Sequence, residues 1–146
     1  MEDLDGDDFK AELSIALNNC GLSDQQPGNR AELLEKIKST FFDGNPRAWW
    51  TNFKVKPTIL RYEGDSGYLH LAELAPSSAR NVWFVVDEGS EEKFIFDAPI
   101  EAISEIIKEC RFFEYYVVPK DFSWVLAEND HGDLLFVTGK TGAVPR

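Results

Sequence analysis

The stretch Arg111–Gly139, RFFEYYVVPKDFSWVLAENDHGDLLFVTG, decides the fold of this chain. It predicts three consecutive β-strands, at Glu114–Val118, Ser123–Glu128 and Leu134–Val137. Turn-forming residues separate these strands, at Pro119–Asp121 and at Asn129–Asp133. Because strands joined by such short links pair antiparallel, we expect a meander at the centre of a small sheet.

Upstream of the meander, apolar residues at intervals of three and four predict helices, and short runs of branched and aromatic residues predict strands. The predicted helices are Asp7–Asn19, Asn29–Phe41, a short one starting at Asn45–Pro46, and one from Ile100 to Cys110. The predicted strands are Thr58–Tyr62, Tyr68–Leu74, Val82–Asp87 and Phe94–Asp97. The composition of Tyr68–Leu74 would suit a helix equally well.

This order of elements predicts an α+β fold in a single domain over residues 1–146. We expect two or three N-terminal helices, a mainly antiparallel sheet of about five to seven strands, and one helix inserted before the meander. The helices are expected to pack on one face of the sheet.

Composition excludes several classes of protein. With 43% hydrophobic and 28% charged residues, the chain is not a disordered protein. No apolar run is long enough to cross a bilayer, and the first residues are acidic where a signal peptide is basic, so we expect a cytoplasmic protein that does not bind membranes. Its two cysteines, Cys20 and Cys110, are expected to be reduced, buried thiols on apolar helix faces.

Charge indicates the kind of partner. The net charge is −11, and acids dominate residues 1–24, 63–101 and 121–133, whereas Asn45–Tyr62 carries four basic residues and no acid. An acidic surface repels phosphate backbones and attracts basic proteins. We therefore expect a basic protein partner and no nucleic acid, and the protein itself to be a monomer or a homodimer. Acidity that only keeps the protein in solution is an equally open interpretation.

Three short motifs fail as functional signatures. Gly64–Gly67 reads GDSG, like the nucleophile loop of trypsin-like proteases, but the chain is too short for that fold. Gly139–Thr141 lacks the first glycine and the helix of a phosphate-binding loop. Asp3, Asp5 and Asp7 imitate a calcium loop without its glycine or its final glutamate. We expect no bound metal or cofactor.

The turn after the second meander strand collects Glu128, Asp130, His131 and Asp133. Carboxylates and an imidazole could bind a metal or act as acid and base if they converged on one point. Asn, Asp and Gly are also the residues that a tight turn requires, and an exposed hairpin turn explains the cluster without chemistry. The acids would then contribute to the partner-binding surface.

Trp49 and Trp50 are the other candidate partner-binding residues. Adjacent indoles on a short helix point in different directions, so one of them could be exposed and anchor an interface. Packing in the core is the alternative interpretation.

The last forty or so residues, with the Ser123–Leu126 strand core and the Glu128–His131 turn, resemble a bacterial family of small proteins of unknown function, and Trp83 extends the resemblance. More distantly, size, acidity and layout are similar to immunity proteins of bacterial toxin systems, including the SUKH superfamily, although the N-terminal motifs of that superfamily are missing. Our leading hypothesis is a non-enzymatic cytoplasmic interaction protein, and an immunity-type protein that covers a basic toxin domain with its acidic surface is the finer form of this hypothesis. The alternatives are a small hydrolase or metal-dependent enzyme using the Glu128–Asp133 turn, and a structural subunit that self-associates through Trp49 and Trp50.

Overall fold

A six-stranded sheet forms the centre of the computed structural model, which describes residues 5–44, 48–63, 66–74, 81–87, 93–110, 113–129 and 132–138. Its strands are β1 (Thr58–Leu60), β2 (Asn81–Asp87), β3 (Phe94–Pro99), β4 (Glu114–Pro119), β5 (Trp124–Glu128) and β6 (Leu134–Thr138). Their order across the sheet is β1-β6-β5-β4-β2-β3, and all neighbours are antiparallel. The predicted meander is therefore confirmed as β4–β6.

Four α-helices accompany the sheet in the described ranges: α1 (Asp5–Asn19), α2 (Arg30–Phe41), α3 (Leu71–Leu74) and α4 (Ile100–Lys108). Two 3-10 turns lie at Trp49–Thr51 and Gly67–His70. The predicted α+β class is confirmed, as is the helix inserted before the meander. The predicted start of a short helix at Asn45–Pro46 lies outside the described residues.

The predicted strand Tyr68–Leu74 is wrong, because this segment forms a 3-10 turn followed by α3. Leu71 is fully buried, whereas Leu69, two positions earlier, is 51% exposed. Residues two apart would share one face of a strand, but they lie on different sides of a helix. Tyr68 and Leu74, each three positions from Leu71, pack against the same core as Leu71 does.

Helices cover both faces of the sheet, so the prediction of a single helical face is wrong. On one face, Phe84 and Leu126 pack in a core with α1, α3 and α4. On the other face, Val85 and Val125 pack in a second core with α2 and Trp49. Consecutive strand residues point to opposite faces, so a strand buried on both sides has apolar residues at nearly every position.

The two edges of the sheet, β3 and β1, differ in their protection. The backbone N–H of Ile95 in β3 donates to Oε1 of Gln26 at 2.9 Å. Gln26 belongs to the connection between α1 and α2, so a side chain occupies this edge where another strand could otherwise pair. In the described part of the chain, β1 pairs with β6 alone.

Both cysteines are reduced, and each is half-buried rather than buried as predicted. They contact the core that contains α1 and α4. Desolvation raises the pKa of the Cys20 thiol, and the carboxylates of Glu109 and Glu105 raise it further. Cys20 is therefore a poor nucleophile at neutral pH.

Candidate functional site

The turn between β5 and β6 is held by its own hydrogen bonds. The Asp133 N–H donates to Oδ1 of Asn129 at 3.1 Å, and the Asn129 N–H donates to the Asp133 carbonyl at 3.2 Å. Gly132 adopts φ +81°, a conformation that favours glycine, and its N–H donates to the Asn129 carbonyl. Asn129 and Gly132 are thus needed for the turn itself. Asp130 and His131 lie outside the described residues.

Glu128 does not belong to the surface of that turn. It is 3% exposed, and its Oε1 accepts a hydrogen bond from the Tyr115 hydroxyl at 2.7 Å. The two residues are direct partners in the register of β4 and β5, and Tyr115 is fully buried in the core with α1 and α4. Burial raises the pKa of Tyr115 well above its ordinary value, and the Glu128 carboxylate adds to the increase.

The 3-10 turn Gly67–His70 lies beside this buried pair. Tyr68 is near enough to raise the pKa of Tyr115, and its carbonyl accepts a hydrogen bond from Ser104 of α4 at 2.8 Å. The ring of His70 stacks on Tyr62 with centroids 4.4 Å apart. A carboxylate and a phenol could exchange a proton with a substrate that reached them. The surrounding side chains exclude solvent from both groups. In this conformation the hydrogen-bonded pair is therefore part of the core and is closed to a substrate.

Asp133, unlike Glu128, forms an ion pair at the surface of the protein. Its Oδ1 lies 3.1 Å from Nε of Arg61, which follows β1, and the Arg61 side chain is 72% exposed. An ion pair in such solvent contact contributes little stability. Glu128 and Asp133, grouped together by the sequence, are therefore separated by the fold: one lies inside the core and the other at the surface beside β1.

Trp49 and Trp50 both pack against the second core. Trp49 is 5% exposed, and its ring lies 5.4 Å from that of Phe42 and 5.3 Å from that of Tyr116. Trp50 is half-buried, and its backbone N–H donates to the Tyr116 hydroxyl at 3.1 Å. Trp49 is thus inaccessible to a partner, whereas part of Trp50 remains at the surface.

A buried ion pair beside Trp49 was missed by the sequence analysis. Nζ of Lys93 lies 3.5 Å from Oδ2 of Asp87, and both side chains are almost completely buried. The same ammonium group sits 4.6 Å from the centroid of the Trp49 ring. Desolvation raises the pKa of Tyr116 nearby, the Trp50 N–H opposes this, and the Asp87 carboxylate raises it again. The only sequence signal was a pair of opposite charges flanking the link from β2 to β3.

The exposed side of α4 and the residue that follows the helix carry a row of acids, which we call the α4 acidic ridge: Glu101 and Glu105 on the helix and Glu109 at its C-cap. Residues four apart lie on the same side of a helix, and Ile103 and Ile106 bury the other side. Lys108 is 3.6 Å from Glu105, and Asn19 donates to Oε1 of Glu109 at 3.0 Å. All three carboxylates remain accessible.

Two further features bear on the kind of site this chain could hold. Among the residues with described positions, no three His, Cys, Asp or Glu side chains converge as metal ligands would. None of the described helices combines the length and the apolar character of a membrane span.

Residues 12–143 match a family described as a family of unknown function, DUF6756. The chain belongs to the DUF6756 family. This match runs from the middle of α1 past the end of β6, so all six strands of the sheet lie within the residues that match DUF6756. No curated protein and no solved structure matches the chain. The prediction that the chain belongs to a family of unknown function is thereby confirmed, and the match extends well beyond the last forty residues that suggested it.

Proposed function

We propose that the protein is a non-enzymatic interaction protein that binds a basic protein partner through its acidic surface. The observation that carries this proposal is the α4 acidic ridge, three solvent-accessible carboxylates on α4 and its C-cap in a protein with net charge −11. The three carboxylates outnumber Lys108, which pairs with Glu105, so the ridge keeps a net negative charge that attracts a basic surface.

The ridge is suited to an electrostatic contact. Its helix is anchored by Ile103 and Ile106, so the carboxylates project from a rigid element and need little ordering when a partner binds. Exposed charges mainly accelerate association and make it sensitive to salt. The partner is thus a protein with a cluster of lysines or arginines.

An immunity protein that covers a basic toxin domain is the more specific form of this proposal. An inhibitor must occupy the functional surface of its target, and a nuclease binds its substrate through a basic surface. An acidic ridge would compete with the substrate for that same surface.

The test is binding to the purified products of the neighbouring genes, with two matched double variants. Glu101→Lys with Glu105→Lys reverses the ridge. Glu32→Lys with Glu35→Lys makes the same change on α2, where Glu32 is also in the first turn and Glu35 also pairs with a lysine three positions on. We expect the ridge variant to bind at least about tenfold more weakly and to lose salt dependence, and the α2 variant to bind much as the natural protein does.

Equal loss in both double variants would mean that only net charge matters and that the ridge is not the contact. Absence of any partner among those gene products at every salt concentration would refute the proposed function. Circular dichroism of each variant separates lost binding from lost folding.

A further inference from the structure

We propose that the free edge of β1 is a docking site for an extended acidic segment of another protein, which adds to the sheet as a further strand. The site, which we call the basic edge, consists of β1 with Lys54, Val55, Lys56 and Arg61. It is separate from the α4 acidic ridge and takes a ligand of the opposite charge.

The first argument is the open hydrogen-bonding edge. In the described residues, β1 forms its ladder with β6 on one side only. The opposite end of the sheet, at β3, is occupied by Gln26. An unprotected edge presents backbone N–H and C=O groups in the spacing that an extended peptide matches.

The second argument is the exposure of apolar side chains in β1 and in the segment directly before it. Val55 is 58% exposed and Ile59 is 45% exposed, and they are two of four large apolar residues with such exposure in the described part of the chain. Ile59 is the register partner of Leu135, whose side chain belongs to the core with α2. A strand added to β1 would place an apolar side chain beside Ile59 and cover it.

The third argument is charge. Lys54, Lys56 and Arg61 are exposed, and the stretch that holds them contains no acid from Asn45 to Tyr62. Lys54 donates to the Ser39 carbonyl of α2, and Arg61 shares its charge with Asp133, so Lys56, two residues before β1, contributes most to the positive charge of this edge. The stretch that contains β1 is basic within a protein of net charge −11. An acidic segment is attracted here and repelled by the remaining surface, which restricts where it binds.

The same charges argue against a second copy of this chain as the occupant. Two β1 strands paired antiparallel with Thr58 of one copy opposite Ile59 of the other would set Lys56 of each copy opposite Arg61 of its partner. Like charges across a strand pair are destabilising, and two molecules of net charge −11 also repel each other. Pro57, directly before β1, has no N–H to extend the self-paired ladder.

The experiment uses the full chain and a short labelled peptide in which glutamate alternates with valine, so that valines line one face and glutamates the other. Fluorescence anisotropy measures binding, and hydrogen exchange measures protection of the Thr58–Leu60 amides. We expect binding that weakens with salt, and slower exchange at β1 but not at β3. Two comparison peptides, one with lysine for glutamate and one with proline for alternate valines, should bind far less tightly, because they lack the charge or the ability to pair.

Lys56→Glu should weaken binding on the order of tenfold, and Arg30→Glu is its control. Arg30 is equally exposed and lies at the start of α2, where a glutamate suits the helix. Equal binding of the proline peptide, unchanged exchange at β1, or no effect of Lys56→Glu would each overturn the proposal. So would sedimentation showing a dimer of the chain alone with protected β1 amides.

Discussion

Tyr115 donates its hydroxyl hydrogen to Glu128 across neighbouring strands, at 2.7 Å, with both side chains buried against the helices of one face. The pair joins the start of β4 to the end of β5. A buried carboxylate is costly unless it is hydrogen-bonded, so the fold depends on this phenol as a donor and not only as an aromatic ring.

Tyr115→Phe removes that donor and retains the ring. We expect the free energy of unfolding to fall by about 1–3 kcal/mol, because a buried acceptor loses a hydrogen bond. Tyr62→Phe is the control, since Tyr62 is stacked on His70 and should lose less than about 0.5 kcal/mol. Urea unfolding measures both variants. Equal losses would show that the Tyr115 hydroxyl does not stabilise Glu128.

Alkaline pH should destabilise the protein through Tyr115 and Tyr116. Burial raises the pKa of both phenols above the ordinary value of 10.0, so the unfolded chain releases these protons first. The stabilisation is complete below about pH 10 and is lost as the pH rises through and beyond that value. The variant with both residues changed to Phe should show a shallower decline in unfolding free energy above pH 10. An unchanged slope would contradict the assignment.

Gly67→Ala tests the contact between the 3-10 turn and β6. A Cβ at this position would lie 3.0 Å from Cγ of Leu134 and 3.2 Å from Cδ2 of Tyr62. We expect a loss of about 1–3 kcal/mol from overpacking. Gly28→Ala, with nothing within 4 Å, should be neutral or stabilising by up to about 1 kcal/mol. Thermal unfolding compares the two, and similar midpoints would disprove the tight contact.

Gln26→Ala tests the protection of the β3 edge. The Ile95 N–H loses its acceptor, so we expect faster hydrogen exchange at Ile95, a loss of about 0.5–1.5 kcal/mol, and more aggregation on heating. Gln25→Ala changes an exposed neighbour and should leave all three properties as they are. Slow exchange at Ile95 in the Gln26 variant would show that another group protects the edge.

Local patterns in the sequence predicted much of the fold. The apolar stripe of α4 and the turn residues of the meander act over a few positions, so a single chain segment reveals them. The strand predicted at Tyr68–Leu74 was wrong because a short, largely apolar segment does not by itself distinguish a strand from a helix. The second helical face could have been found from Val82–Val86, where every residue is apolar, since only a strand covered on both sides has such a pattern.

The candidate site was less predictable. That Glu128 is buried follows from its register with Tyr115, and register between strands depends on the whole sheet. The ion pair of Lys93 with Asp87 depends likewise on Trp49 packing over it, from a distant part of the chain. The spacing of residues along the sequence predicts neither the pairing of Glu128 with Tyr115 nor the packing of Trp49 over the ion pair. The charge of Asn45–Tyr62 was visible in the sequence, but the position of Thr58–Leu60 as the last strand of the described sheet was not.

The position of β1 at the end of the sheet also determines when it can form during synthesis. Thr58 pairs with Phe136, more than half the chain later, so the ribosome releases β1 long before its only described strand partner exists. Until then its apolar residues remain accessible to other chains and to chaperones. Completion of the sheet is therefore a late step that closes a long loop, and such steps fold slowly.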